Sequence, residues 1–220
     1  MNILYTSYFK PGKGGAEASL KILADETAKQ HNVFIASSEN WGQNTLKFRK
    51  FRRIPCFFLQ EKYLENFLIK QIKEKNISII HANDGITAAA SVKAAKKIGI
   101  PCIVHFRDYW FCCPKSSCYA KDGTNCSVCN AGKLLKCSGI KRFLWDYYKL
   151  RHAKTLWEAL NKADAQIAIS STVKAKLDIC GIKNANIVPN PVKIIKYETT
   201  KKKGKVKILF LGKLDPSKGI

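Results

Sequence analysis

No run of about eighteen uncharged apolar residues occurs in the chain, so nothing in it reads as a bilayer-spanning helix. The opening Met1-Asn2-Ile3-Leu4-Tyr5 lacks a basic region, an apolar core and a small-residue cleavage site. A secretory signal needs all three, which predicts a cytoplasmic location. Self-similarity at solenoid periods is also missing. Acidic residues are scarce: 16 Asp and Glu face 39 Lys and Arg, a formal net charge of +23. Such an excess suits an anionic partner (nucleic acid, an anionic membrane or phosphate-bearing substrates) or plain solvated surface, and does not specify a reaction.

What is present is a chain of 220 residues, 46% hydrophobic and 10% aromatic, enough for one large core. The composition is that of a globular protein. Of nine cysteines, six (Cys112, Cys113, Cys118, Cys126, Cys129 and Cys137) fall in the stretch 112–137. In a reducing compartment such a cluster points to metal or plain thiols before disulfides.

Strand and helix patterns alternate. Strands are expected at 3–6, 33–36, 46–54, 77–80, 101–105, 165–169 and 186–188, and helices at 16–30, 63–75, 86–97, 141–161 and 172–177. Gly99 suits a helix C-cap. Short, nearly all-apolar strands imply a parallel sheet covered on both faces, so the fold class is α/β, a doubly wound, mostly parallel Rossmann-like sheet. Ligands of such sheets sit beyond the carboxyl ends of the strands, where the loops after Tyr5, Ile80 and Val104 would meet. Residues 1–190 form this domain, with 112–137 as a Cys-rich insert. The Lys-rich 191–205 reads as a linker, and 206–220 starts a second domain that stops where a helix should begin, which predicts a truncated enzyme.

Gly14 and Gly15 close a glycine-bearing loop between the first strand and first helix, where backbone N–H groups can approach an anion. The third glycine of a dinucleotide fingerprint is missing, since that position holds Glu17, and no Gly-Lys-Ser/Thr of a P-loop follows. A purely structural turn stays open. His105, Arg107 and Asp108 end a strand at the ligand rim. Alternation places His105 and Arg107 on one side and Asp108 on the other. Those three suit proton and phosphate chemistry, or an Arg–Asp pair that merely fixes a loop. Cys126 and Cys129 form a CxxC pair, and Cys113, Cys137 or Cys118 could complete a structural zinc site. Buried thiols, disulfides or an iron–sulfur centre stay open.

The run Arg107-Asp108-Tyr109-Trp110-Phe111-Cys112-Cys113-Pro114 resembles the His-Asp-Tyr-Trp-x-x-Cys-Pro segment of family 4 glycosyltransferases. Five further segments resemble that family in the same order. They are Gly14-Gly15-Ala16-Glu17, Ile80-His81-Ala82-Asn83, Ile169-Ser170-Ser171, Val188-Pro189-Asn190-Pro191-Val192, and the run from Phe210 to Gly219. Arg107 replaces the family's usual histidine and Lys213 its commoner arginine. The resemblance implies half of a two-lobed GT-B enzyme that uses a nucleotide sugar and retains anomeric configuration. It implies a glycan or lipid-linked acceptor and no catalytic metal. The basic charge suits peripheral association with an anionic membrane at its inner face, and its spread through the chain argues against nucleic acid. His105, Arg107 and Asp108 would be catalytic; Gly14, Gly15, Asn190, Lys213 and Lys218 would hold donor phosphate. A dinucleotide-dependent oxidoreductase domain and a basic, zinc-stapled nucleic-acid-binding module are the rival readings.

Overall fold

The computed structural model describes residues 1–12, 14–50, 56–120, 123–126, 129–194, 209, 210 and 214. Its strands are β1 (Asn2–Thr6), β2 (Asn32–Ser37), β3 (Thr45–Lys47), β4 (Ile79–Ala82), β5 (Cys102–Phe106), β6 (Ala165–Ala168) and β7 (Asn186–Ile187). Its helices are α1 (Gly15–Thr27), α2 (Phe57–Glu74), α3 (Ala88–Ile98), α4 (Ala131–Ser138), α5 (Ile140–Asn161) and α6 (Ser171–Ile179).

All pairings are parallel, in the order β3-β2-β1-β4-β5-β6-β7. The order reverses between β1 and β4, so the crevice for a ligand lies beyond their carboxyl ends. The register pairs Tyr5 with both Ile35 and His81, which puts them on one face. On that face Ile3, Tyr5, Val33 and Ile35 bury against Leu20 and Ala24 of α1. On the opposite face Leu4, Ile80, Val104 and Phe106 meet Leu64, Leu68 and Ile72 of α2, Val92 of α3 and Leu156 and Leu160 of α5. Helix α3 buries Ala88, Ala89, Ala90, Ala94 and Ala95, and such small side chains let its neighbours approach closely.

Most elements lie where periodicity places them, and Gly99 does cap α3 in the left-handed region at φ 81°. Three differ. Helix α2 begins at Phe57, ahead of the expected 63, because Phe57 stacks on Tyr148 (5.0 Å) and His152 (4.6 Å) of α5. Helix α4 lies in the stretch expected to be irregular; Asn130 caps it, its side chain accepting from the Lys133 N–H at 2.9 Å. The strand expected at 46–54 is only Thr45–Lys47, and 51–55 lie outside the described residues. Of the strand expected from Val206 only Leu209 and Phe210 are among them, and Lys213, Lys218 and most of the 191–205 stretch fall outside.

Candidate active site at the carboxyl rim of the sheet

The loop after β4 organises the rim. Asp84 accepts backbone N–H bonds from Tyr8 (2.6 Å), Ile86 (2.8 Å) and Thr87 (2.9 Å), tying the β1 loop to the start of α3. Burial raises the Asp84 carboxyl pKa, and these donors partly oppose the shift. Behind it Thr6 bonds Thr87 (2.9 Å) and Ser91 (3.1 Å), a buried hydroxyl cluster joining β1 to α3.

Next to Asp84, Asn83 donates its amide to the His81 carbonyl (2.9 Å), which leaves Oδ1 aimed at Arg107. That oxygen accepts from Arg107 Nε (3.3 Å) and Nη2 (3.1 Å), while Nη1 donates to the Asn190 side chain. Arg107 is thereby stretched between the ends of β4 and β7 with only 7% of its surface exposed. Burial lowers its pKa to about 10, with Glu17 and Tyr5 opposing, so it stays a cation at neutral pH. Asp108, on the other side of the chain, accepts the Trp110 N–H at 2.8 Å. Burial pushes its carboxyl up to about 6, with the Trp110 bond opposing and Asp84 and Glu17 adding to the rise.

His105 does not reach the rim. It lies under Arg107, 3% exposed, its ring 5.5 Å from that of His81, which in turn lies 5.2 Å from Tyr5. Both His105 nitrogens and His81 Nε2 are buried without a hydrogen-bond partner. Burial and the Arg107 charge push the pKa of His81 down to about 4 and that of His105 to about 3. Both rings are neutral near pH 7 and form a floor beneath the cation. Gly14, at φ −172°, is the N-cap of α1 and supplies no side-chain cap, and the first-turn acid Glu17 folds back so that its Oε2 lies 3.0 Å from where a Cβ on Gly14 would stand. Among the described residues, Gly14, Gly15, Asn83, Arg107, Asp108 and Asn190 form the polar rim. Asn83 and Asp84 are the members that sequence reasoning missed, although an Asn-Asp-Gly run ending an apolar strand was the available signal.

Gly85 marks a close approach. A Cβ there would lie 2.5 Å from the Trp110 indole, which stacks on Phe106 at 5.4 Å. Gly85→Ala is expected to cost about 2 kcal/mol of stability through overpacking. Urea unfolding checks this; an unchanged midpoint would mean that Trp110 does not pack there.

A second set of contacts joins thiols that the sequence did not pair. Cys112 and Cys118 sulfurs lie 3.6 Å apart, and Cys180, at the end of α6, hydrogen-bonds Cys112. The Cys113 thiol also bonds Cys118 and accepts backbone N–H groups of Lys115, Ser117 and Cys118. Donation from Cys112 and Cys113 holds Cys118 well below the usual thiol range. No cysteine is in a disulfide. Among the described residues no group of three or more His, Cys, Asp or Glu is placed to hold a metal ion. Burial pushes the Cys129 thiol up to about 11, and the neighbouring Cys126, Cys137 and Cys118 add to the rise.

The family model for Glycosyltransferase Family 4 matches residues 13–194. No curated protein matches the chain. Among solved structures, the apo lipopolysaccharide outer core galactosyltransferase WaaB is 18% identical with a TM-score of 0.54, the match covering 89% of this chain and 47% of that one. Anabaena Alr3699/HepE in complex with UDP-glucose is 16% identical with a TM-score of 0.56, covering 87% and 44%. UDP-GlcNAc 2-epimerase from Neisseria meningitidis, bound to UDP-GlcNAc, is 10% identical with a TM-score of 0.50, covering 86% and 47%. The chain thus spans under half the length of these proteins, and at such identities the likeness is one of fold.

Proposed function

The chain belongs to glycosyltransferase family 4, and we propose that it forms the acceptor-side lobe of a two-lobed enzyme that moves a sugar from a nucleotide-sugar donor to a glycan or lipid-linked acceptor. The observation that carries this reading is the buried Arg107 cation, held between Asn83 and Asn190 within the field of Glu17 in the first turn of α1. Cleaving a sugar–diphosphate bond develops negative charge on the leaving group. Fixed cations and helix N-termini stabilise that charge without reorganising. Three of the five N–H donors of Arg107 are used by the two asparagines, and two remain for a ligand oxygen. Asp108, whose carboxyl holds its proton to about pH 6, fits a group that exchanges a proton with an acceptor hydroxyl.

In this reading Lys213 and Lys218 open the donor lobe and approach the same diphosphate from the other side, with transfer retaining anomeric configuration. The domain works on the cytoplasmic side of a membrane. The test is release of nucleoside diphosphate from a panel of nucleotide sugars, with and without acceptor, by a chain carrying both lobes. Acceptor-dependent release is expected. Epimerised donor in the absence of any acceptor would overturn the reading, since an epimerase shares the fold. In the same assay Lys218→Ala is expected to lower transfer at least about tenfold, or about 1.4 kcal/mol of transition-state stabilisation. Unchanged kinetics would take Lys218 out of the leaving-group site.

A further inference from the structure

Four of the nine cysteines meet beside the loop beyond β5, and the backbone there is shaped to bring them together. The N–H groups of Cys112 and Cys113 both donate to the Tyr109 carbonyl, at 3.0 and 2.8 Å. The Cys113 carbonyl then accepts from the Ser116 N–H at 2.9 Å. Ser116 and Cys118 adopt left-handed φ of 56° and 50°, which residues with side chains rarely take, and the chain doubles back. Six residues after Cys112, the Cys118 sulfur thus returns to 3.6 Å from its own. Cys118 is pinned there by Cys126, whose N–H donates to its carbonyl at 2.8 Å.

The pair is closed off from bulk water, with Cys112 and Cys118 both buried. Cys180, also buried at the end of α6, hydrogen-bonds Cys112 from another side, and Cys113 bonds Cys118. A single buried cysteine packs as a small apolar side chain. Packing accounts neither for two left-handed residues in one short loop nor for a chain of four hydrogen-bonded sulfurs. Cys118 accepts from both Cys112 and Cys113, so its sulfur is the electron-rich member of the group. Ser116 ties this loop to the rim. Its carbonyl accepts the Tyr109 N–H at 3.4 Å, and its side chain hydrogen-bonds Asp108.

We propose that Cys112 and Cys118 form an oxidation site, closed to a disulfide by a peroxide and reopened by a dithiol, whose state is felt at Asp108. The Cys118 sulfur attacks one peroxide oxygen; the O–O bond breaks, and the departing hydroxyl leaves as water with the Cys118 proton. The Cys112 sulfur then attacks the sulfenic sulfur on Cys118. An S–S bond forms, the S–O bond breaks, and the hydroxyl leaves as a second water with the Cys112 proton. The two thiols give up two electrons and the peroxide takes them. Closing 3.6 Å to the about 2.05 Å of a disulfide moves the sulfurs together by about 1.5 Å. The Tyr109 carbonyl holds the Cys112 side of the loop, so the arm from Ser116 to Cys118 takes up the shift and Ser116 moves relative to Asp108. Where Asp108 exchanges a proton with an acceptor, transfer then follows the redox state of the pair. That consequence rests on the transferase reading; the bridge does not.

Hydrogen peroxide is added to the 220-residue protein carrying Cys126→Ser, Cys129→Ser and Cys137→Ser, and linked peptides are read by mass spectrometry with no donor or acceptor present. Two thiols are expected to be lost, with residues 112 and 118 joined, and dithiothreitol is expected to return both. In that background Cys113→Ser and Cys180→Ser should still form the bridge. Cys112→Ser and Cys118→Ser should lose thiols at least about tenfold more slowly. Circular dichroism confirms that each variant is folded. A bridge that uses Cys113 or Cys180 instead would overturn the proposal, as would sulfinic acid without a bridge. So would thiols that react only after a chelator strips bound zinc, which would mark a metal site. The link to the rim is read from the carboxyl carbon resonance of Asp108, assigned by its loss in Asp108→Asn. Its chemical shift and titration midpoint are expected to differ between the oxidised and reduced protein, and identical values in both would break that link.

Discussion

Replacing Arg107 by methionine is expected to lower sugar transfer at least a hundredfold, about 2.7 kcal/mol of transition-state stabilisation, in a chain carrying both lobes. The side chain is 7% exposed, and burial lowers its pKa only to about 10, so the parent keeps a desolvated cation there throughout the working pH range. Methionine fills much of the volume, removes the charge and strands the Asn83 and Asn190 oxygens. Each abandoned acceptor costs about 1–3 kcal/mol if water does not reach it. Stability is therefore expected to fall as well, and the kinetic comparison is made on folded protein below its melting temperature. Arg107→Lys separates charge from geometry. It keeps the cation but cannot span two asparagines with one planar fork. Roughly tenfold lower kcat/KM, intermediate between parent and methionine, is expected. Parent-like kinetics in Arg107→Met would remove the residue from the site and leave it as a tie between strand ends.

Acid is expected to unfold the domain through its two buried histidines. Both are held neutral in the folded state, His81 with a pKa lowered to about 4 and His105 to about 3, against an ordinary value of 6.5. Above pH 6.5 neither costs anything. As pH falls below it, the unfolded chain takes up protons that the folded chain refuses, and stability drops until the folded pKa values are reached. Asp108 acts in the opposite sense. Its carboxyl is raised to about 6, so protonation below that pH relieves the burial of its charge. Two histidines outweigh one carboxyl, and the net loss from pH 7 to pH 4 is on the order of 4 kcal/mol. Urea midpoints across that range measure it. His105→Phe, which keeps a ring over His81 but cannot titrate, should remove most of the slope, about 3 kcal/mol of the loss, because the His81 and Asp108 contributions nearly cancel. A variant with the parent's full pH dependence would show that His105 is not the buried proton-excluding group.

The histidines illustrate where the sequence stops. His105 and Arg107 share a side of the strand in the sequence alone, and the alternation places them correctly. Alternation says nothing about depth, however. Three percent exposure puts His105 beneath the rim, because α1 and the neighbouring Tyr5–His81 stack cover that face. Arg107 reaches outward to Asn83 and Asn190, a pairing across three strand ends that no local pattern encodes. Likewise, Cys180 joins Cys112 only because α6 returns beside the β5 loop, far from the Cys-rich stretch that drew attention.

Short apolar strands separated by amphipathic helices determined the parallel, doubly covered sheet, since each strand must be buried on both faces and each crossover must supply a helix. The ordered motifs, from Gly14-Gly15 through Arg107-Asp108-Tyr109-Trp110 to Val188-Pro189-Asn190, likewise carried the family resemblance before any coordinates. Tertiary packing alone decided the rest: the Asp84 clasp, the two asparagines that share one guanidinium, the early start of α2 and the contact of Cys180 with Cys112. The physical reason is the same for all four. Periodicity records which side of an element is buried, whereas hydrogen bonds and ring stacks between distant segments depend on distances that exist only once the sheet has closed.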